Sequence, residues 1–174
     1  FMLPTVKLIG LQVLEIFKHL HSKKIVHRDV KLENLLMDIT NCKQVYLIDY
    51  GLSSLLKKDN LKNQSLIGTP NFISLHIHNG NRYTIRDDLI SLCYTLIYCL
   101  YGELPWEYMK NIDMMEVKEK YVVNNKHLNL ILIYCNNLNY GEVPNYNYII
   151  TLLNNLSEYH YFQWNINIVD ELIN

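Results

Sequence analysis

Alanine is missing from this sequence altogether, although other apolar residues are abundant. Alanine is the best helix former, so its absence does not follow from any fold and is better explained by AT-rich coding DNA. A virus or an AT-rich microbe is a source of this kind. We expect a cytoplasmic protein, located in the host cytoplasm or nucleus if the source is viral.

Cysteine is scarce, and the four residues present form no C-x-x-C pair. Cys93, Cys99 and Cys135 lie in apolar runs, where a reduced thiol packs as a small hydrophobic group. His76 and His78 have no further Cys or His at the spacing of zinc ligands, so we expect a loop with two ordinary histidines. Reduced thiols without zinc are typical of a cytoplasmic protein.

A surplus of positive charge is also missing, because 16 Lys and Arg residues face 17 Asp and Glu residues. Proteins that bind DNA or RNA usually carry a basic surplus that neutralises phosphates, so nucleic acid is not an expected partner. The longest apolar segment, 89–104, is interrupted by polar residues and is too short to span a bilayer. Residues 1–5 lack the charged start of a signal peptide. We therefore expect no membrane association.

The apolar residues suffice for one core, since 49% of the 174 residues are hydrophobic, and one domain is expected. Apolar residues at helical spacing after Thr5 predict a long first helix with Thr5 as its N-cap. Segment 87–101 is apolar on nearly all sides and ends at Gly102, which predicts a buried helix. The polar stretch 51–69 predicts a surface loop, whose lysines either bind a phosphate or acidic substrate together with Arg28 or face solvent. Further helices are expected over 114–121, 147–156 and 161–174.

Three short apolar runs predict β-strands. Ile25–Val26 leads into a polar loop, while Leu35–Met37 and Val45–Ile48 flank a polar turn, which is the pattern of a hairpin. Such a hairpin would place Asn34 before one strand and Asp49 after the other. Two separate loops would then converge at one end of the hairpin.

The most informative feature is the run of eight residues from His27 to Asn34, followed downstream by Asp49-Tyr50-Gly51. Phosphoryl transfer needs an acceptor for the hydroxyl proton, a cation near the moving phosphate and oxygen ligands for Mg²⁺. The two segments supply this set in Asp29, Lys31, Asn34 and Asp49. The alternative is a pair of polar turns between strands, which requires many ordered positions to match by coincidence.

These segments resemble eukaryotic-type Ser/Thr protein kinases, and specifically the group of casein kinase I and the vaccinia-related kinases. His-Arg-Asp-Val-Lys and Asp-Tyr-Gly are shared with kinases broadly, the latter being more similar to the vaccinia-related branch. Most kinases carry Ala-Pro-Glu where this chain has Ser74. The resemblance covers most of 1–107 well and the remainder loosely. The more specific segments are Gly68–Ser74, His78–Gly80, Arg86–Leu89 and Gly102–Glu107.

The resemblance implies a mainly α fold: a kinase C-lobe with a helical bundle around a buried central helix, and short β-hairpins that carry the catalytic and metal-binding loops. ATP and Mg²⁺ would be the cofactors, and a protein hydroxyl would be the substrate. Asp29 would be the proton acceptor, Lys31 the cation on the γ-phosphate, and Asn34 and Asp49 the Mg²⁺ ligands. Thr69 would bond to the catalytic loop, His27–Asn34.

The resemblance also implies residues that support the site. Leu36 and Ile48 would form the apolar floor beneath the adenine ring, although plain core packing explains Leu36 equally well. Asp88 would accept backbone N–H bonds from the catalytic loop, the alternative being a simple acid at a helix start. The other supporting positions are His27, Arg28, Tyr50 and Gly51.

Only 26 residues precede His27. The glycine-rich loop of a kinase N-lobe, its phosphate-binding Lys and the partner Glu need more room than this. We therefore expect residues 1–174 to be a C-lobe that transfers the ATP γ-phosphate to a protein hydroxyl when a separate N-lobe or kinase partner completes it. The alternatives are a non-catalytic decoy or scaffold that binds a kinase or its substrate, and a gene remnant without function.

Overall fold

The computed structural model describes residues 1–40, 42–56 and 66–165. This part of the chain is mainly helical, as expected, and it contains two small antiparallel sheets. The α-helices are α1 (Leu3–Ser22), α2 (Leu75–His78), α3 (Ile85–Tyr101), α4 (Asn111–Lys120), α5 (Lys126–Asn136) and α6 (Tyr146–Asn154). The strands are β1 (Ile25–Val26), β2 (Leu35–Met37), β3 (Val45–Leu47) and β4 (Ser54–Leu55).

Helix α3 forms the centre of the core, and the predicted buried helix is confirmed. Nearly all of its residues are buried, and α1 and α5 pack against it. Thr84 and Asp87 form a capping box at its start, in which the Thr84 N–H donates to Asp87 Oδ2 at 2.7 Å. Gly102 ends the helix with φ +84°, a left-handed conformation that glycine adopts without steric cost. Helix α6 completes the bundle by packing on α1 and α5.

Helix α1 begins earlier than predicted. Its N-cap is Met2, and Pro4 lies in the first turn, where its missing N–H costs no helical hydrogen bond. Thr5 is therefore inside the helix, and the expectation that it caps the helix is wrong. Its hydroxyl oxygen instead accepts the backbone N–H of Gln163 at 2.9 Å, which holds the C-terminal segment against α1.

Two helices were not anticipated. Helix α5 lies in an Asn-rich stretch, yet Asn125 caps it by accepting the N–H groups of His127 and Leu128, both at 3.1 Å. The segment of His76 and His78 was expected to be a loop, but it forms α2, which Ser74 caps. Of the predicted helices, 114–121 begins three residues earlier than expected, and 147–156 is shifted slightly toward the N-terminus.

The predicted hairpin is present, with β2 and β3 antiparallel and Leu35 paired with Leu47. Strand β1 pairs with β4, which lies at the start of the stretch expected to be a surface loop. Lys57, Lys58 and Lys62 lie outside the described residues, as does 166–174 of the predicted last helix. Up to residue 165 that segment ends in a short 3-10 helix. Within the described ranges, no helix combines the length and apolarity needed to cross a bilayer.

Candidate active site

The hairpin brings the loops that carry Asn34 and Asp49 together. Asn34 ends a short 3-10 helix immediately before β2, and Asp49 follows β3 closely. The N–H of Ile48 donates to the carbonyl of Asn34 at 2.9 Å, which closes the end of the hairpin. Asp49 has φ +61°, and its Oδ1 accepts the N–H of Gly51 at 3.2 Å. The two loops thus converge as expected from the sequence, and a backbone hydrogen bond holds them together.

The Asp29 carboxylate is the centre of a hydrogen-bonded cluster and is only 8% exposed. Its Oδ1 accepts the Thr69 hydroxyl at 2.7 Å, and its Oδ2 lies 3.0 Å from Lys31 Nζ. Asn34 Nδ2 donates to the Asp29 backbone carbonyl at 2.7 Å and to Oδ2 at 3.1 Å. Lys31 Nζ also donates to Thr69 Oγ1 at 2.9 Å. Three of the residues assigned to catalysis, Lys31, Asn34 and Thr69, therefore each contact the fourth, Asp29.

The electrostatics of this cluster favour an ionised Asp29. Burial raises the pKa of Asp29, but hydrogen bonds from Thr69, Lys31 and Asn34, together with the Lys31 charge, outweigh burial and hold this pKa below its ordinary value. A carboxylate of this kind is a good hydrogen-bond acceptor and a weak base. It is suited to orient a hydroxyl group and to take its proton late in a reaction.

The residues on either side of Asp29 are held by contacts with buried groups. Asp88 is fully buried, and it accepts the N–H of His27 at 2.8 Å and that of Arg28 at 2.9 Å, which are the contacts expected of it. His27 Nε2 donates to the carbonyl of Ile48 at 3.0 Å, which ties the catalytic loop to the hairpin. Tyr50 packs edge-on against the His27 ring, with 4.9 Å between the ring centroids.

The outer face of the hairpin is apolar and exposed. Leu36 and Tyr46 are cross-strand partners, and each is 50% exposed. The alternative that Leu36 is plain core is therefore wrong. Ile48 is half-buried beside them. This face offers an exposed apolar surface next to the loops of Asn34 and Asp49.

The donor groups at this end of the hairpin fit a magnesium ion. In the part of the chain that the structure describes, no group of three or more His, Cys, Asp or Glu residues could hold a metal. Asn34 and Asp49 offer an amide and a carboxylate, and a hard cation prefers oxygen ligands of this type. Two protein ligands suffice for Mg²⁺, which usually keeps water and substrate phosphates in its remaining positions.

Comparison with known proteins agrees with this geometry. The family described as "Protein kinase domain" matches residues 2–158, which is most of the chain. The chain belongs to the protein kinase family. This kinase chain is similar to a probable casein kinase I homolog of Encephalitozoon cuniculi (strain GB-M1), with 31% identity over 173 residues. The aligned region covers 88% of this chain and 57% of that relative, so the chain spans little more than half the relative's length.

Lys118 is a structural residue near the site that the sequence did not reveal. Lys118 of α4 is almost completely buried, and its Nζ donates to the carbonyls of Pro70 and Ile73 at 2.7 and 2.9 Å. Trp106 Nε1 donates to the carbonyl of Asn71 at 2.8 Å. These bonds hold the segment that follows Thr69. Lys118 lies in a Lys-Glu-Lys run that is typical of a solvated helix face, so no pattern distinguished it.

His78 gives the stability of this region a defined pH dependence. Burial, and then the nearby charge of Lys118, lower the pKa of His78 to about 4, against an ordinary value of 6.5. The unfolded chain therefore binds more protons than the folded chain between these values. This contribution to stability is fully present above about pH 6.5 and is lost as the pH falls toward 4.

We expect His78→Gln to flatten the pH dependence of the free energy of unfolding between pH 4 and 6.5. Of the free energy of unfolding that the wild type loses over this pH range, the variant should retain about 1–2 kcal/mol. The figure is below the full effect of the pKa shift because solvent screens a half-buried group. Urea unfolding at several pH values measures it. His19→Gln, at an exposed position of α1, is the control and should keep the wild-type slope. Equal slopes for all three proteins would contradict the assignment.

Proposed function

We propose that residues 1–174 form the C-terminal lobe of a Ser/Thr protein kinase, which transfers the γ-phosphate of ATP to a protein hydroxyl. The observation that carries this proposal is the cluster of Asp29, Lys31, Asn34 and Thr69 beside the loop of Asp49. The similarity to a casein kinase I homolog supports serine or threonine as the acceptor.

Asp29 and Lys31 would act on the two reacting groups. Asp29 would hold the substrate hydroxyl in line and accept its proton, because it is the ionised carboxylate of the cluster. Lys31 Nζ is shared between Asp29 Oδ2 and Thr69 Oγ1. The Lys31 ammonium group would lie where the transferred phosphate meets the hydroxyl. Its positive charge would stabilise the negative charge there.

Asn34 and Asp49 would hold Mg²⁺, and Leu36 and Ile48 would contact the adenine of ATP. When bound, the ion neutralises charge on the phosphates. Asn34 also fixes Asp29 through its Nδ2, so one residue would link the metal ligands to the proton acceptor. Leu36 presents the apolar surface that a planar base requires.

We propose that a second kinase half covers the exposed hairpin face and completes the nucleotide pocket. That half belongs either to a longer form of this chain or to a separate partner protein. Two observations support it: the exposure of Leu36 and Tyr46, and the span of only 57% of the related kinase. Without a second wall, the phosphates would lack a preorganised clamp, which supplies much of the rate of such enzymes.

The test joins residues 1–174 to the upstream half of a casein kinase I-type enzyme and measures phosphate transfer from ATP to a protein substrate. Asp29→Asn is expected to lower the rate by about 10²–10⁴-fold, because an amide cannot accept the proton. Asp38→Asn is the matched control, since Asp38 caps a turn at the far end of the hairpin and Asn can cap it equally well.

Two outcomes of this experiment would reject the catalytic role. Equal transfer rates for the wild type and Asp29→Asn would show that Asp29 is not the proton acceptor. A joined protein that folds but transfers no phosphate, even as wild type, would favour the non-catalytic scaffold. In that case the hairpin face would bind a kinase or its substrate without chemistry.

A further inference from the structure

We propose that Tyr146 and His21 are positioning residues for the catalytic loop, an inference that rests on the kinase function proposed above. A chain of hydrogen bonds connects helix α6 to this loop through Asp88. Tyr146 Oη lies 2.6 Å from His21 Nδ1, and His21 Nε2 lies 3.0 Å from Asp88 Oδ2. Tyr146 and His21 are 125 positions apart in the chain, so the contact is a product of the tertiary fold.

In a neutral imidazole, the carboxylate acceptor at Asp88 fixes the direction of both hydrogen bonds. Asp88 Oδ2 also accepts the N–H of His27, so it acts as an acceptor and His21 Nε2 donates to it. In the neutral ring that we propose, Nδ1 carries no proton and accepts the Tyr146 hydroxyl. Burial raises the pKa of Tyr146, which keeps this hydroxyl protonated. Tyr146 therefore further stabilises the imidazole tautomer that donates to Asp88.

The residues around His21 restrict the movement of its ring. Its ring stacks on Phe17, with 5.0 Å between centroids and 27° between planes, and the side chain is almost fully buried. Packing thus fixes the position of the ring, and hydrogen bonds decide which nitrogen carries the proton. Removal of the Tyr146 hydroxyl would leave the ring in place and leave Nδ1 buried without a donor, which weakens the hold of His21 on Asp88.

The backbone that Asp88 holds is strained next to Asp29. Arg28 has φ +73°, a conformation that a residue with a side chain adopts only when its surroundings impose it. Its N–H donates to Asp88 Oδ1, while Oδ2 takes the bonds from His27 and His21. A rotation of the Asp88 carboxylate would weaken all three bonds together. The bond from His21 opposes this rotation, and so helix α6 acts on the loop that contains the proton acceptor.

The test uses the full chain labelled with ¹⁵N, as wild type and as Tyr146→Phe, a change that removes one oxygen atom. We expect amide hydrogen exchange at His27 and Arg28 to become about tenfold faster, the effect of losing one buried hydrogen bond. The ¹⁵N signal of His21 Nδ1 should also shift, because this nitrogen loses its hydrogen-bond donor. Tyr94→Phe is the matched control, because the buried Tyr94 hydroxyl has no hydrogen-bond partner among the described residues. It should leave both readouts unchanged.

Three results would overturn the proposal. The first is unchanged exchange at His27 and Arg28 in a folded Tyr146→Phe protein. The second is an equal acceleration at the core amides of α3, because a merely structural residue would act on the whole fold. The third is a proton on His21 Nδ1 in the wild type, a measurement that requires no variant to fold. None of these readouts depends on phosphate transfer, so failure of the kinase proposal would be seen separately.

Discussion

Gly68→Ala is expected to destabilise the chain by about 3 kcal/mol and to displace Thr69 from Asp29. Gly68 has φ +102°, which an alanine adopts only with strain. A Cβ at this position would lie 2.5 Å from the carbonyl oxygen of Arg28 and 2.7 Å from the Ile73 side chain. The Arg28 oxygen is backbone and cannot rotate away, so the segment itself must shift.

Gly80→Ala separates the two causes of this effect. Gly80 also has a positive φ, +74°, but a Cβ there would meet no atom within 4 Å. It should cost only the conformational strain, about 1–2 kcal/mol. Urea unfolding of both variants measures the difference. Equal losses would mean that the contact between Gly68 and the catalytic loop is unimportant, and that strain alone accounts for the glycine.

The sequence predicted those parts of the fold that depend on local patterns. Helix α3 follows from an apolar run between an acidic start and Gly102, and the hairpin follows from two apolar runs around a polar turn. Strands β1 and β4 contain two residues each and pair across an intervening hairpin, so no local periodicity could predict the pairing. Helix α5 was missed because its Asn content suggested a loop, although Leu128, Ile131 and Cys135 recur at helical spacing.

The sequence predicted the residue types of the candidate site better than it predicted the residues that hold the site in place. Motif spacing identified the loops of Asp29 and Asp49. Their proximity could also be predicted, because both loops adjoin one hairpin. Thr69 was assigned by resemblance, and its contact with Asp29 spans 40 positions. Lys118 and Tyr146 are more remote still and carry no motif. Such contacts depend on how helices pack, which is decided by the whole core rather than by neighbouring residues.

Asp88→Asn is expected to lower the free energy of unfolding by about 3–5 kcal/mol, a larger effect than any single hydrogen bond would give. The two carboxylate oxygens accept three donors, from His27, Arg28 and His21. An amide has one oxygen and one NH₂ group. Whichever way the Asn side chain turns, its NH₂ group must face at least one backbone N–H in a site that excludes water.

The structure also predicts how the damage from Asp88→Asn is distributed. The amide oxygen should take the place of Oδ2, because there it still accepts from both His27 and His21, and only the Arg28 N–H is left without an acceptor. Amide exchange should therefore accelerate more at Arg28 than at His27, together with the fall in stability measured by urea. Asp113→Asn, at an exposed position of α4, should change stability by less than about 0.5 kcal/mol. If Asp88→Asn were as stable as this control, Asp88 would be no more than an acid at a helix start.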